Sequence, residues 1–208
     1  MERLIASLSE TGRPLAALIL ASLVIMGSPG PSTISVTAVG ASFGVRRSLR
    51  YTGGLIAGTI VVLLMVAMGV VALVTSVPHG DRVLSVVSAA YILFLAYRIA
   101  TAPPLERQKG RLAAPPFTGG VLLAVANPKA YLAIAAVFAG TTVIAGNHTL
   151  DAVVKIALLS LMIVIIHLFW LVAGVSLSRF LHEPGTSRLF NLSMAVVLVM
   201  VTLIAVVT

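Results

Sequence analysis

Two of the long apolar runs in this sequence are broken in the middle, one by Ser28-Pro29-Gly30-Pro31-Ser32 and one by Ala126-Asn127-Pro128-Lys129-Ala130. A segment that crosses a bilayer must satisfy its backbone N–H and C=O groups internally. Interrupted helix survives there only inside protein or beside a cavity. Paired interruptions at corresponding places in two halves of a chain point to the solute site of a membrane transporter.

Composition supports a membrane setting. Of 208 residues 59% are apolar and 10% are charged, whereas a soluble domain carries about a quarter charged residues. The apolar residues fall into long runs, the pattern of a polytopic helical membrane protein. The net charge of +8 is spread over loops between the runs, with no basic module or aromatic-interleaved patch, which excludes a nucleic-acid partner. Cysteine is absent, so disulfides, thiolate metal sites and thiol relays are excluded. The short apolar core Leu15–Met26 after Arg3 and Arg13 has some marks of a signal peptide. Apolar character resumes at Thr33–Phe43, and the stretch therefore reads as a membrane segment.

The runs predict an all-α membrane protein of six segments: Pro14–Phe43, broken at Pro29–Pro31; Tyr51–Ser76; Val83–Thr101; Phe117–Ala145, broken at Asn127–Lys129; Asp151–Ser178; and Leu189–Val207. Each is near or above the ~20 residues that span a bilayer as helix. The proline-bounded, charged stretch Ala102–Pro116 reads as a cytoplasmic linker. It divides one transporter domain (1–208) into repeats 1–101 and 117–208. The offset from Pro29 to Pro128 matches that from Tyr51 to Asp151 within one residue. Three segments per half predict an inverted repeat.

Basic residues set the orientation. Arg46, Arg47 and Arg50 lie in the first loop, Arg98, Arg107, Lys109 and Arg111 around the linker, and Arg179 and Arg188 in the fifth loop. The positive-inside rule makes these loops cytoplasmic and puts both termini outside, in a multi-pass protein of the cytoplasmic (inner) membrane.

Each break has the grammar of a helix start. Pro31 and Pro128 suit the first helical position, with Gly30 and Asn127 as N-caps. Two half-helix N-termini would aim their positive dipole ends at one spot, which suits a carboxylate. The alternative is a pair of packed proline kinks. Lys129 carries a charge deep in the fourth segment, where insertion costs about 2.5–3.5 kcal/mol. It either meets a substrate carboxylate or caps carbonyls freed by the break. Gly30, Pro31, Ser32, Asn127, Pro128 and Lys129 are the substrate-site candidates, with the substrate ammonium expected against carbonyls near Met26 and Val125. His167 and Asp151 are candidates for ion coupling, against the plainer readings of a packing histidine and a helix N-terminal charge. Gly54 and Gly58 form a Gly-xxx-Gly face for packing inside the bundle or for a homodimer. Tyr91 and Tyr97 suit interface anchors or cavity lining.

The chain resembles the LysE/RhtB family of amino-acid exporters. The resemblance runs from Pro29-Gly30-Pro31 through Gly44, the Arg46-Arg47 loop and Gly53–Gly58. It continues at Ala90-Tyr91, Leu95-Ala96-Tyr97-Arg98, Asn127-Pro128-Lys129-Ala130 and Trp170-Leu171. It implies amino-acid export driven by the proton gradient. Many members carry Asp or Asn after Pro-Gly-Pro, where this chain has Ser32. All six acidic residues lie in loops, in the N-terminal tail or at a helix mouth. A cationic substrate side chain would want a carboxylate in the cavity, so a small neutral amino acid or derivative is expected.

No phosphate-binding loop, zinc-type His-Glu pattern or Ser-His-Asp set is present, which argues against an enzyme and against cofactors or metals. The rival readings are an exporter of another small solute or ion, and a non-transporting membrane scaffold subunit. The scaffold should tolerate loss of Lys129.

Overall fold

The computed structural model describes residues 2–69 and 114–178, with the backbone alone for 2–11. It also describes isolated helical positions at 90, 93, 97, 188, 189, 192, 193, 196, 199 and 200. The end of the second segment from residue 70, most of the third, the linker up to residue 113 and most of the sixth lie outside the described residues. So do Tyr91, Arg107 and Arg179.

Everything regular among the described residues is helical. Helix α1 spans Glu2–Ala21 and passes into one π-helical turn, Ser22–Met26. After the break, α2 runs Pro31–Ala67. The second break separates α3, Phe117–Val125, from α4, Pro128–Ala139, and bends the pair by 62°. Helix α5 spans His148–Ser178. Pro31–Ala67 and His148–Leu177 are each long and apolar enough to cross a membrane, as is the bent pair taken as one span.

Helix α2 is two arms, not one rod. A straight helix of its 37 residues would reach about 55 Å. Instead Gly44 sits at φ 73°, ψ 172°, a left-handed φ that glycine adopts freely and other residues resist. The chain doubles back there. Ser48 Oγ donates to Val39 O at 3.0 Å and to Gly44 O at 2.7 Å, and Ser35 Oγ meets Tyr51 Oη at 2.5 Å. Partners nine and sixteen residues apart would be about 13 and 24 Å apart along a continuous helix. Residues 31–43 and 45–67 are therefore the end of one segment and the start of the next. The exposed Arg46, Arg47 and Arg50 lie at the turn between them.

Helix α5 packs along α2, and α3 packs on the second arm of α2. Lipid tails are as apolar as leucine, so helices in a bilayer associate by close packing of small residues. A Cβ on Gly54 would stand 2.0 Å from Phe117 O, and one on Gly120 would stand 2.3 Å from Tyr51 O. The Gly54–Gly58 face thus receives α3 inside the bundle. Leu18, Val62, Ile134, Leu159 and Ile163 anchor one buried cluster, and Val36, Leu55, Leu123 and Leu171 a second. Leu20, Val24, Leu132, Leu161, Phe169 and Val172 are exposed, as helices that meet lipid require.

Candidate functional site

The two breaks meet. Asn127 Nδ2 donates to Ser32 Oγ at 3.0 Å across 95 residues of sequence. Lys129 Nζ donates to Ser28 O at 2.5 Å and to Pro29 O at 2.8 Å. Trp170 of α5 completes the seam, its Nε1–H donating to Gly27 O at 3.0 Å. Carbonyls set loose by the first break are thereby satisfied from the second break and from α5, as buried backbone groups must be.

Local chemistry starts each half-helix. Pro31 occupies the first turn of α2, where a missing N–H costs nothing. The Gly30 N–H donates to Thr33 Oγ1 at 2.8 Å, and the Thr33 hydroxyl returns a bond to Gly30 O at 3.1 Å. Gly30 is extended, at φ −170°, so its backbone needs no glycine. Its neighbour does: a Cβ there would lie 2.6 Å from Lys129 Cδ and 2.9 Å from Nζ. The missing side chain is the slot through which Lys129 reaches the first break.

Asn127 departs from the sequence expectation. It holds the N-cap position of α4, with Pro128 following, but its side chain makes no capping bond. The Ala130 N–H is taken by Asn127's own carbonyl at 3.0 Å. That tight turn leaves the side-chain amide free to cross to Ser32.

A cavity opens beside this seam. It measures about 40 Å³ to the centres of water-sized spheres, room for a few water-sized groups. Gly30, Ser32, Asn127, Lys129 and His167 line it, so five of the eight candidate residues converge here. Pro31 and Pro128 shape the half-helix starts behind it. The lining also includes Ser28, Thr33, Thr59 and Ile163, which sequence reading missed. The signal for Thr33 and Thr59 is a hydroxyl in an apolar run, too common in membrane helices to single either out. No acidic side chain lines the cavity among the described residues.

Two polar atoms at the cavity are buried and lack a hydrogen-bond partner among the described residues: Asn127 Oδ1 and His167 Nε2. Both side chains belong to residues only 4% exposed. His167 Nδ1 lies 2.8 Å from Ile163 O. A carbonyl can only accept, so Nδ1 carries the proton and Nε2 presents a lone pair. Asn127 Oδ1 is likewise an acceptor. An unsatisfied buried acceptor costs about 1–3 kcal/mol, and two at one cavity mark a place where a donor belongs.

Lys129 supplies the opposite polarity. Its ammonium has three donors, and two are committed to Ser28 O and Pro29 O. One remains for a guest. The sequence reading expects the substrate ammonium against carbonyls near Met26 and Val125. At the first break Gly27 O, Ser28 O and Pro29 O already have Trp170 and Lys129 as donors.

Asp151 is occupied elsewhere and does not line the cavity. Its Oδ1 accepts the Val143 and Ile144 N–H groups at 2.6 and 2.9 Å, and its Oδ2 pairs with Lys155 at 2.8 Å. Lys155 also donates to Thr141 O at 3.0 Å and sits 4.4 Å over the Phe138 ring. The pair clasps the α4–α5 connection, which fits the plainer reading of Asp151 as a charge at the mouth of its helix.

The family model for the LysE type translocator matches residues 23–208. The "Cysteine/O-acetylserine efflux protein" of Escherichia coli (strain K12) is 30% identical over 187 residues, 89% of this chain and 93% of the relative. Its counterpart in Shigella flexneri serotype 5b shows the same identity and coverage. The protein of that name from Salmonella typhi is 35% identical over 94 residues, 45% of this chain and 48% of its own. No solved structure matches the chain significantly.

Proposed function

Because the chain belongs to the LysE type translocator family, we propose that it exports a small neutral amino acid or amino-acid derivative across the cytoplasmic membrane. The cavity between the two breaks is the substrate site. One observation carries this reading: among the described residues, the cavity joins one uncommitted ammonium donor, on Lys129, to two buried acceptors without partners, Asn127 Oδ1 and His167 Nε2. A zwitterion answers both. Its carboxylate takes the Lys129 proton near the N-termini of α2 and α4, where the helix dipoles favour negative charge. Its ammonium donates to the two acceptors.

The small cavity, with no lining carboxylate among the described residues, argues against a cationic side chain. Cysteine and O-acetylserine, the solutes in the relatives' names, are small and carry no cationic side chain. The remaining parts of the reading follow from sequence. Six segments form two inverted three-helix repeats (1–101 and 117–208) about the cytoplasmic linker 102–116, with both termini outside, and the proton gradient drives export.

Counterflow in proteoliposomes tests the function. Labelled alanine, serine, cysteine, threonine and O-acetylserine are screened beside lysine and arginine. Saturable exchange of at least one neutral solute and none of the cationic ones is expected. Exchange confined to lysine and arginine, or none with any solute, overturns the proposal. A reporter fused within 102–113 should read as cytoplasmic; a periplasmic reading reverses the orientation.

A further inference from the structure

Among the described residues His167 is the one cavity-lining imidazole, and its geometry makes one atom available to two different cations. The Nδ1 proton is held by Ile163 O, so the ring cannot exchange tautomers without losing that bond. Nε2 is therefore an acceptor as long as the ring is neutral. It is buried and has no partner among the described residues, and its residue lines the cavity. A second independent acceptor, Asn127 Oδ1, stands in the same cavity and does not titrate. Asn127 can hold an ammonium at any pH; His167 can do so only while unprotonated.

We propose that His167 Nε2 is where a proton and the substrate ammonium exclude each other, so that the site releases substrate as it accepts a proton. This rests on the exporter reading above. Protonation acts twice. It turns Nε2 from acceptor to donor, which removes one of the ammonium's two partners. It also places an imidazolium beside the ammonium, and like charges in a desolvated site repel strongly. Deprotonation reverses both effects, and substrate binding in turn blocks the proton. Two ligands that cannot occupy one atom together are the minimum device for exchange.

The surroundings leave the role to His167. From α4 the cavity receives Lys129, already a cation and held by two carbonyls. The first break and α2 contribute Ser28, Ser32, Thr33 and Thr59, none of which ionises in the working range. On α5 itself the other charges, Asp151 and Lys155, pair with each other, and Asp151 is about 24 Å away along the helix by its rise per residue. Among the described residues no carboxylate faces the ring. Lys129 sharpens the exclusion, because an imidazolium opposite it is tolerated only when the substrate ammonium has left.

The test uses the full-length protein in proteoliposomes and the panel member that gives the fastest counterflow. In the wild type, with equal pH on both sides, lowering pH from 8 to 5 should raise the half-saturating substrate concentration at least threefold. The maximal exchange rate should stay unchanged, which is the mark of competition. H167Q keeps an acceptor oxygen but cannot titrate. It should show weakened but measurable counterflow, with half-saturation raised and flat within twofold over the same range. It should also lose accumulation driven by a pH gradient. H167Q that still accumulates substrate against a gradient overturns the proposal. If H167Q does not reconstitute, the wild type decides: inhibition by protons that lowers the maximal rate, or no inhibition, overturns it. Absence of any counterflow in the wild type instead overturns the exporter reading.

Discussion

The first and second breaks share a grammar and differ in chemistry. Each places proline at the first position of a half-helix behind a residue in extended backbone. The first break is a wide opening after a π-helical turn, and it presents carbonyls: Gly27 O, Ser28 O and Pro29 O. The second is a tight 62° bend, and it supplies Lys129, which donates to two of them, and Asn127, which donates to Ser32 Oγ. Two halves with matching layout have thus divided the work. One offers acceptors and a hydroxyl, and the other offers the donors. A site assembled this way is polar in a fixed direction, as a zwitterion requires.

Removing the donor should break this division most completely. Lys129→Met leaves Ser28 O and Pro29 O without their donor and takes away the carboxylate partner. Charge-assisted hydrogen bonds are worth about 1.5–3 kcal/mol each, so efflux should fall by roughly a hundredfold or more. Membrane insertion should be no worse, since a central charge is lost. Normal efflux by Lys129→Met in proteoliposomes would mean that the breaks do not cooperate in binding substrate.

Blocking the slot should mimic the same loss more weakly. Gly30→Val needs no change in backbone, because Gly30 is extended, but its side chain occupies the path of Lys129. Efflux should fall about tenfold. In combination with Lys129→Met the second change should add little, because residues sharing one network are not additive. Full additivity in efflux rates would uncouple Gly30 from Lys129.

The link between the breaks is weaker still. Asn127→Ala removes the bond to Ser32 and one ammonium acceptor but no helix cap. We expect half-saturation to rise about five- to tenfold, at about 1 kcal/mol for a neutral hydrogen bond, with α4 helicity unchanged. Loss of helicity by circular dichroism would restore the capping role expected from sequence.

The smallest effect belongs to the rim. Trp170→Phe keeps the ring and loses the bond to Gly27 O. Efflux should drop two- to fivefold, consistent with one neutral hydrogen bond of about 0.5–1 kcal/mol. A loss as large as that of Lys129→Met would place the first break's support in α5 and not in α4.

Much of this was legible in the residues. Segment placement was read from hydrophobic runs, and four of the six runs are helical among the described residues. The breaks were visible because proline within an apolar run has few explanations in lipid. The prominence of Lys129 followed from the cost of its charge. The Gly54–Gly58 face was read as a packing surface, although its partner, α3, could not be named. The contacts of Asp151 were not legible: an acidic residue at a segment mouth looks the same in sequence whether it couples ions or clasps a loop.

Length, apolar periodicity and the location of helix breakers are local properties, and one-dimensional information suffices for them. Membrane class and the two interruptions therefore follow from the chain alone. Which groups meet is a different matter. The bond from Asn127 to Ser32, the reach of Lys129 through the space at Gly30, and the unpaired Nε2 of His167 each depend on atoms brought together from separate helices. No spacing rule encodes those distances. The packing of α5 and α2 sets them, and with them whether a buried polar atom is satisfied or left open for a guest.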